Sequence, residues 1–205
     1  MPPAEFERDG ASGLLCDCLL LAVTGSPAAL SVPHYALVIR QTLARELRVM
    51  MTRTAARFVP PETMRLFAGV PIHTDLHKGD DETLVPHVDL TADLDLLLVM
   101  PATANILGKS AHGICDELVS TAIVACEAPV AFIPSMNERM WRSAVVQRNV
   151  ATLRDLGHHV IDPDVGFQLS DMREAPGTMP PLEHVLHELV AIVAGRGARP
   201  ALARP

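Results

Sequence analysis

Aromatic residues are scarce, at 3% of the 205 residues, with a single Trp and a single Tyr. The core must therefore rest on Leu, Val, Ala and Ile, within an apolar content of 49%. No segment carries a basic cluster and the formal net charge is −7. That balance argues against nucleic acid or an anionic membrane as the main partner. No apolar run approaches the ~20 residues that span a bilayer, and the opening MPPAEFERDG lacks the basic-then-apolar pattern of a signal peptide. Four cysteines in this length do not make a disulfide framework. The expectation is a cytoplasmic globular protein, one domain over residues 1–195 with a disordered tail over 196–205.

Several catalytic signatures are also missing. There is no G-x-G-x-x-G, so a dinucleotide fingerprint is not supported, and GASG at 10–13 precedes the first apolar run instead of following it. TANILGKS at 103–110 ends like a P-loop, but Thr103 stands where the first glycine is required. No G-x-S-x-G elbow supports a serine hydrolase. His73, His77 and His87 share a polar segment, yet no zinc spacing or Cys pair accompanies them. Cys16 and Cys18, two apart on one apolar run, are expected to point the same way into packed surroundings. Cys115 and Cys126 are expected within a helix, and His158 and His159 as structural residues opening a strand.

What is present alternates. Apolar runs at 14–26, 49–54, 94–102, 128–134 and 158–162 read as strands, the longer ones buried on both faces. Between them, helical spacing covers 31–48, 61–69, a stretch through 115–126, 137–157 and 181–195. Pro33 suits a first turn and Gly69 closes a helix. This order predicts βαβ units, a parallel sheet and helices on both faces. Two segments fall outside it: polar 73–89, in part a loop, and 165–181, which mixes apolar and turn residues as a flap does.

Ligands of such sheets lie beyond the C-terminal ends of the strands. Four distinctive sequences start there: TGSPAA (24–29), MTRTAARF (51–58), MPATANI (100–106) and PSMNERMW (134–141). Gly25 and Ser26 before a helix, with Thr52 and Thr54 from the neighbouring strand end, suit a phosphate, although ordinary turns and caps use the same residues. His87, in PHVDL, opens a short helix whose N-terminus favours a neutral imidazole base. In PSMNERMW the polar Asn137 sits among Met136, Met140 and Trp141, so a polar and an apolar task meet in one turn.

PATANI resembles a PASANT motif and PSMNERMW fits PxMNxxMW. With PHVDL and TGSPAA, they resemble the homo-oligomeric flavin-containing cysteine decarboxylases over roughly residues 14–190. That family includes the phosphopantothenoylcysteine decarboxylases and the peptidyl-cysteine decarboxylases of lantibiotic-type peptides. The resemblance implies a Rossmann-like three-layer α/β sandwich with a parallel sheet, a flavodoxin-like flavoprotein binding FMN, with FAD as the alternative. It places the phosphate on Gly25, Ser26, Pro27, Thr54 and Ala55, and the flavin along Thr103, Ala104, Asn105 and Ile106, with Ser135 close by. His87 matches the family's active-site histidine and Asn137 the asparagine that binds the substrate carboxylate. Met140 and Trp141 would complete the substrate wall. A homo-trimer is implied, with His87 serving a neighbour's cofactor, and trimers of this kind assemble into dodecamers.

The implied chemistry oxidises the cysteine side chain to a thioaldehyde, from which CO2 departs to leave an enethiolate. Phosphopantothenoylcysteine decarboxylases carry a flap cysteine that returns a proton, and residues 165–180 contain none. The chain therefore resembles the oxidative branch, which converts the C-terminal cysteine of a precursor peptide to an aminoenethiol. Coenzyme A biosynthesis is the alternative.

Overall fold

The computed structural model of the protein describes residue 14 and residues 16–76, 85–168 and 172–195. Its first half runs β1 (Cys16–Val23), a 3-10 helix (Pro27–Ser31), α1 (Val32–Thr42), β2 (Ala44–Met51), α2 (Ala55–Phe58), α3 (Pro61–Ala68), β3 (Ile72–His73), α4 (Pro86–Thr91) and β4 (Leu96–Ala102). The second half runs α5 (Ala104–Ala111), α6 (Leu118–Ala125), β5 (Val130–Pro134), α7 (Glu138–Trp141), α8 (Ala144–Asp155), β6 (His159–Val160), β7 (Asp164–Gln168), β8 (Arg173–Thr178) and α9 (Leu182–Ala194).

Six strands form one parallel sheet in the order β3-β2-β1-β4-β5-β6. The chain lays β2 and β3 on one side of β1, then returns and lays β4, β5 and β6 on the other. β1 and β4 are neighbours across that reversal, where a parallel sheet opens its ligand crevice. Leu19 to Val23 and Leu96 to Met100 are fully buried because helices cover both faces. On one face Leu19, Leu21 and Val23 pack against Ile39 of α1, Met64 of α3 and Leu189 of α9. On the other, Leu20, Ala22 and Phe132 meet Leu90 of α4, Leu107 of α5, Ile123 of α6 and Leu153 of α8. The result is a flavodoxin-like α/β fold in three layers. Among the described residues, no helix is long and apolar enough to cross a membrane.

The elements differ from the sequence reading in five places. The helix expected over 31–48 stops at Thr42, and residues 44–48 belong to β2. Arg45, Glu46 and Arg48 resemble the polar face of a helix, but they lie at the less buried start of the strand. The single helix expected over 137–157 is two, because Ser143 is extended (φ −61°, ψ 132°) between α7 and α8. The flap over 165–181 contains an antiparallel hairpin, β7 with β8, whose Gly166, Pro176 and Gly177 hide the strand alternation. Cys115 falls in the turns between α5 and α6, after the left-handed Gly113, and Cys126 caps α6 instead of lying inside it. Cys16 and Cys18 are both buried but in opposite cores, Cys16 with Leu19 and Leu43, Cys18 with Leu20 and Phe132. The tail 196–205, His77 and GASG at 10–13 lie outside the described residues.

Phe132, fully buried in β5, is the largest wholly enclosed side chain among the described residues, and its ring meets His158 edge-on at 5.9 Å. Burial holds the His158 imidazole below its ordinary range, with His159 adding to the effect. Phe132→Ala is expected to cost about 3–5 kcal/mol, the usual range for emptying an aromatic core site. Chemical denaturation should show a lower midpoint with an unchanged slope.

Candidate functional site

The ends of β1 and β4 are joined by one hydroxyl. Thr24 Oγ1 donates to the Pro101 carbonyl at 2.7 Å and accepts from the Thr103 backbone N–H at 3.0 Å. A second hydroxyl pair spans the sheet further out, Ser26 Oγ to Ser135 Oγ at 2.9 Å, linking the turn after β1 to the end of β5. Thr52 Oγ1, at the end of β2, accepts from Ala55 N–H at 3.1 Å. These contacts set four strand ends around one opening, a cavity of about 750 Å³. That volume lies in the range of small-molecule sites.

One side of the cavity is a shelf of hydroxyls from Thr24, Ser26, Ser31, Thr52, Thr54, Thr103 and Ser135. Gly25 is required in that shelf. A Cβ there would stand 2.3 Å from Thr54 Cγ2, so only glycine lets the turn approach the β2 end so closely. The other side is apolar, built from Ala104, Ile106, Met136, Met140, Met179 and the exposed Phe167. Among the described residues no Lys, Arg, His, Asp or Cys lines the cavity; Glu117 and Tyr35 are its titratable groups. Glu117 Oε1 is held by Lys109 at 2.8 Å. Burial pulls the Lys109 amine down, and hydrogen bonds and charge from Asp116 and Glu117 outweigh it and raise it. Burial raises the Tyr35 phenol, as does Glu183. A shelf of neutral donors facing a thioether and alkyl wall fits a phosphate attached to a flat apolar ring. A phosphomononucleotide flavin has that chemistry.

Of the residues expected from sequence, Gly25, Ser26, Pro27, Thr54, Thr103, Ala104, Asn105, Ile106, Ser135, Asn137 and Met140 line this cavity together. Ala55, His87 and Trp141 do not. Ala55 is wholly buried in a core, and its N–H is taken by Thr52. Trp141 packs, half-buried, against the core around Phe132, so it buttresses the turn instead of facing the cavity. His87 is half-buried on α4, with Nδ1 enclosed and no hydrogen-bond partner among the described residues. Sequence reasoning missed Tyr35, Glu117 and the hairpin residues Phe167, Gln168, Gly177 and Thr178. The only tyrosine of the chain was an available signal, whereas nothing in the hairpin's sequence announced strands.

Asn137 is the N-cap of α7. Its Oδ1 accepts from Met140 N–H at 3.0 Å, which fixes the amide and leaves its NH2 group free of that task. The amide therefore presents a donor edge where the polar and apolar walls meet. Gly25→Ala is expected to purify without the visible absorbance of a bound flavin. Adding Thr54→Gly, which removes the opposing methyl and Cβ, should restore part of it.

Comparison with known proteins places this geometry. The model of the family described as Flavoprotein matches residues 16–194. Mersacidin decarboxylase of a Bacillus species is 34% identical over 163 residues, covering 80% of either chain. A probable phosphopantothenoylcysteine decarboxylase of Streptococcus mutans is 35% identical over 147 residues, 71% of this chain and 82% of that one. The crystal structure of the FMN-dependent cysteine decarboxylase SpaF superposes with a TM-score of 0.73 at 34% identity, covering 87% of this chain and 97% of that chain. The chain spans only 30% of a longer relative, the bifunctional coenzyme A biosynthesis protein of Bacillus subtilis, to which it is 37% identical over 121 residues. With its sheet, crevice and cavity wall all inside the matched region, the chain belongs to the flavoprotein family, on its cysteine-decarboxylase branch.

Proposed function

We propose that the protein oxidatively decarboxylates the C-terminal cysteine of a precursor peptide, with FMN as cofactor. The product is an aminoenethiol, a nucleophile for later ring closure in a modified ribosomal peptide. Bound flavin supplies the two-electron sink that turns an inert cysteine carboxylate into a leaving group. The hydroxyl shelf of Ser26, Thr54 and their neighbours holds the phosphate through neutral donors. Met136, Met140 and Met179 exclude water from the reacting end. The donor edge of the Asn137 amide orients the substrate carboxylate, since its oxygen is committed to Met140 N–H. His87, outside the cavity of its own chain, acts as the base for a neighbouring copy in a homo-trimer.

The observation that carries the oxidative reading is the absence of a thiol from the cavity lining among the described residues. A redox-neutral decarboxylase must protonate the enethiolate so that the electrons return to it. The four cysteines are not placed for that task. Cys16 and Cys18 lie at the opposite end of β1, with Cys18 about 20 Å from Thr24 at strand spacing, and burial pushes the Cys18 thiol up to about 11. Cys115 and Cys126 sit outside the cavity, in the turn before α6 and at its C-cap. The reaction then stops at the oxidised product, and an external oxidant such as dioxygen takes the electrons. A redox-neutral phosphopantothenoylcysteine decarboxylase is the second reading, favoured by the similarity to the Streptococcus mutans protein.

Mass spectrometry of aerobic incubations separates the two. A peptide ending in cysteine should lose CO2 and two hydrogens, about 46 Da by the stoichiometry of flavin oxidation. Loss of CO2 alone, about 44 Da on the same stoichiometry, from phosphopantothenoylcysteine, with the peptide untouched, would overturn the proposal. Asn137→Asp tests the carboxylate contact. Aspartate caps a helix as well as asparagine does, so α7 should persist while the donor is replaced by a like charge. The expected loss is at least about tenfold in kcat/KM, from one charge-assisted hydrogen bond, with flavin content retained.

A further inference from the structure

The antiparallel hairpin β7–β8 touches the cavity, and how it is fastened assigns it a task. Gln168, at the end of β7, is 8% exposed and uses both ends of its amide. Its Oε1 accepts from the Glu138 backbone N–H at 3.2 Å, and its Nε2 donates to the Pro176 carbonyl at 2.8 Å. One side chain therefore ties the two hairpin strands to each other and to the first residue of α7. A second bond runs beside it, from Met136 N–H to the Gly177 carbonyl at 2.9 Å. Gly177 has φ +119°, and a Cβ there would stand 2.3 Å from the Met136 carbonyl oxygen.

Met136 and Glu138 flank Asn137. Both residues beside the carboxylate-binding asparagine thus give their backbone N–H to the hairpin. Helix α7 has four residues, too few to sustain itself, and its first N–H groups have no partner within the helix. Only outside contacts can hold its N-terminus at one height above the cavity. The hairpin supplies them on both sides of Asn137.

We propose that Gln168 is a positioning residue for the substrate carboxylate: through the Glu138 N–H it fixes where the Asn137 amide stands, so that the hairpin sets the depth at which a C-terminal carboxylate is read. The proposal rests on the decarboxylase reading above and goes beyond it. Gln168 is buried with both amide ends satisfied, so replacing it leaves an amide N–H and a carbonyl without partners, a loss felt locally. Gly177 is the companion contact, since any side chain at that position would push Met136 away.

Two substitutions separate the bonds. Gln168→Met keeps length and burial while removing both, and Gln168→Glu keeps an acceptor for Glu138 N–H while removing the donor to Pro176. The first readout is hydrogen exchange at the Met136 and Glu138 amides of the flavin-loaded protein, which needs no activity. The second is the ratio of the affinity for a cysteine-terminated peptide acid to that for the same peptide as C-terminal amide, which cannot lose CO2 and is read as a competitive inhibitor. Gln168→Met should speed exchange at Glu138 and lower the acid-to-amide affinity ratio roughly tenfold, through weaker binding of the acid, with flavin content unchanged. Gln168→Glu should recover much of both. Unchanged exchange in Gln168→Met, or faster exchange with an unchanged acid-to-amide ratio, would overturn the positioning role. If Gln168→Met does not fold, the same readouts on Gln168→Leu and Gly177→Ala decide it: normal exchange and a normal ratio in both would overturn it. A wild-type protein that leaves cysteine peptides untouched but shows the exchange pattern would refute the decarboxylase reading and leave the clamp standing.

Discussion

The Thr24 hydroxyl holds the site together. It sits where β1 ends, at the reversal of the sheet, and it bridges to the end of β4 through Pro101 and Thr103. A parallel sheet splays at such a reversal, because the loops after neighbouring strands leave in opposite directions. A short bridge there sets the spacing between the hydroxyl shelf after β1 and the residues after β4 that line the cavity. Thr103 then caps α5 by accepting from Ile106 N–H at 3.3 Å, so the bridge also aims the helix that carries Ala104, Asn105 and Ile106. Ser26 with Ser135 repeats the device one strand further out. Cavity shape thus follows largely from small hydroxyls acting between buried strands.

The chemistry of the cavity follows from what those hydroxyls leave out. A shelf of neutral hydroxyls suits an anion without adding a charge of its own. On the proposed oxidative route, the lack of a thiol on the wall among the described residues leaves the electrons without a placed proton to return with. The hairpin, in the region where a proton-donating flap is expected, contributes instead an amide, Gln168, and backbone contacts to the Asn137 turn. One segment can therefore separate two outcomes of the same decarboxylation by holding geometry instead of supplying an acid.

The sheet was legible in the sequence because its central strands are buried on both faces. Leu19 to Val23 and Leu96 to Met100 form apolar runs too continuous for one helix face and too short for a membrane span. The strand-end motifs were legible for the same reason, since whatever follows such a run lies at one sheet edge. The start of β2 was not, because Arg45, Glu46 and Arg48 at a strand's polar end mimic a helix. Arg48 belongs there for a tertiary reason: its guanidinium binds the carbonyls of Asp89, Leu90 and Ala92 at the end of α4. The hairpin was hidden by Gly166, Pro176 and Gly177; the two glycines are set by close contacts to Thr178 and Met136 and not by strand propensity. Trp141 shares a strand-end motif and His87 opens a short helix, yet both stand outside the cavity, a distinction that only packing can make.

On the proposed oxidative route, electrons taken from the substrate do not go back to it. Mixing the flavin-loaded protein anaerobically with one equivalent of a peptide ending in cysteine tests this directly. The flavin absorbance should bleach, stay bleached, and recover only when dioxygen is admitted. A flavin that returns to its oxidised spectrum without oxygen, as decarboxylated peptide accumulates, would contradict it.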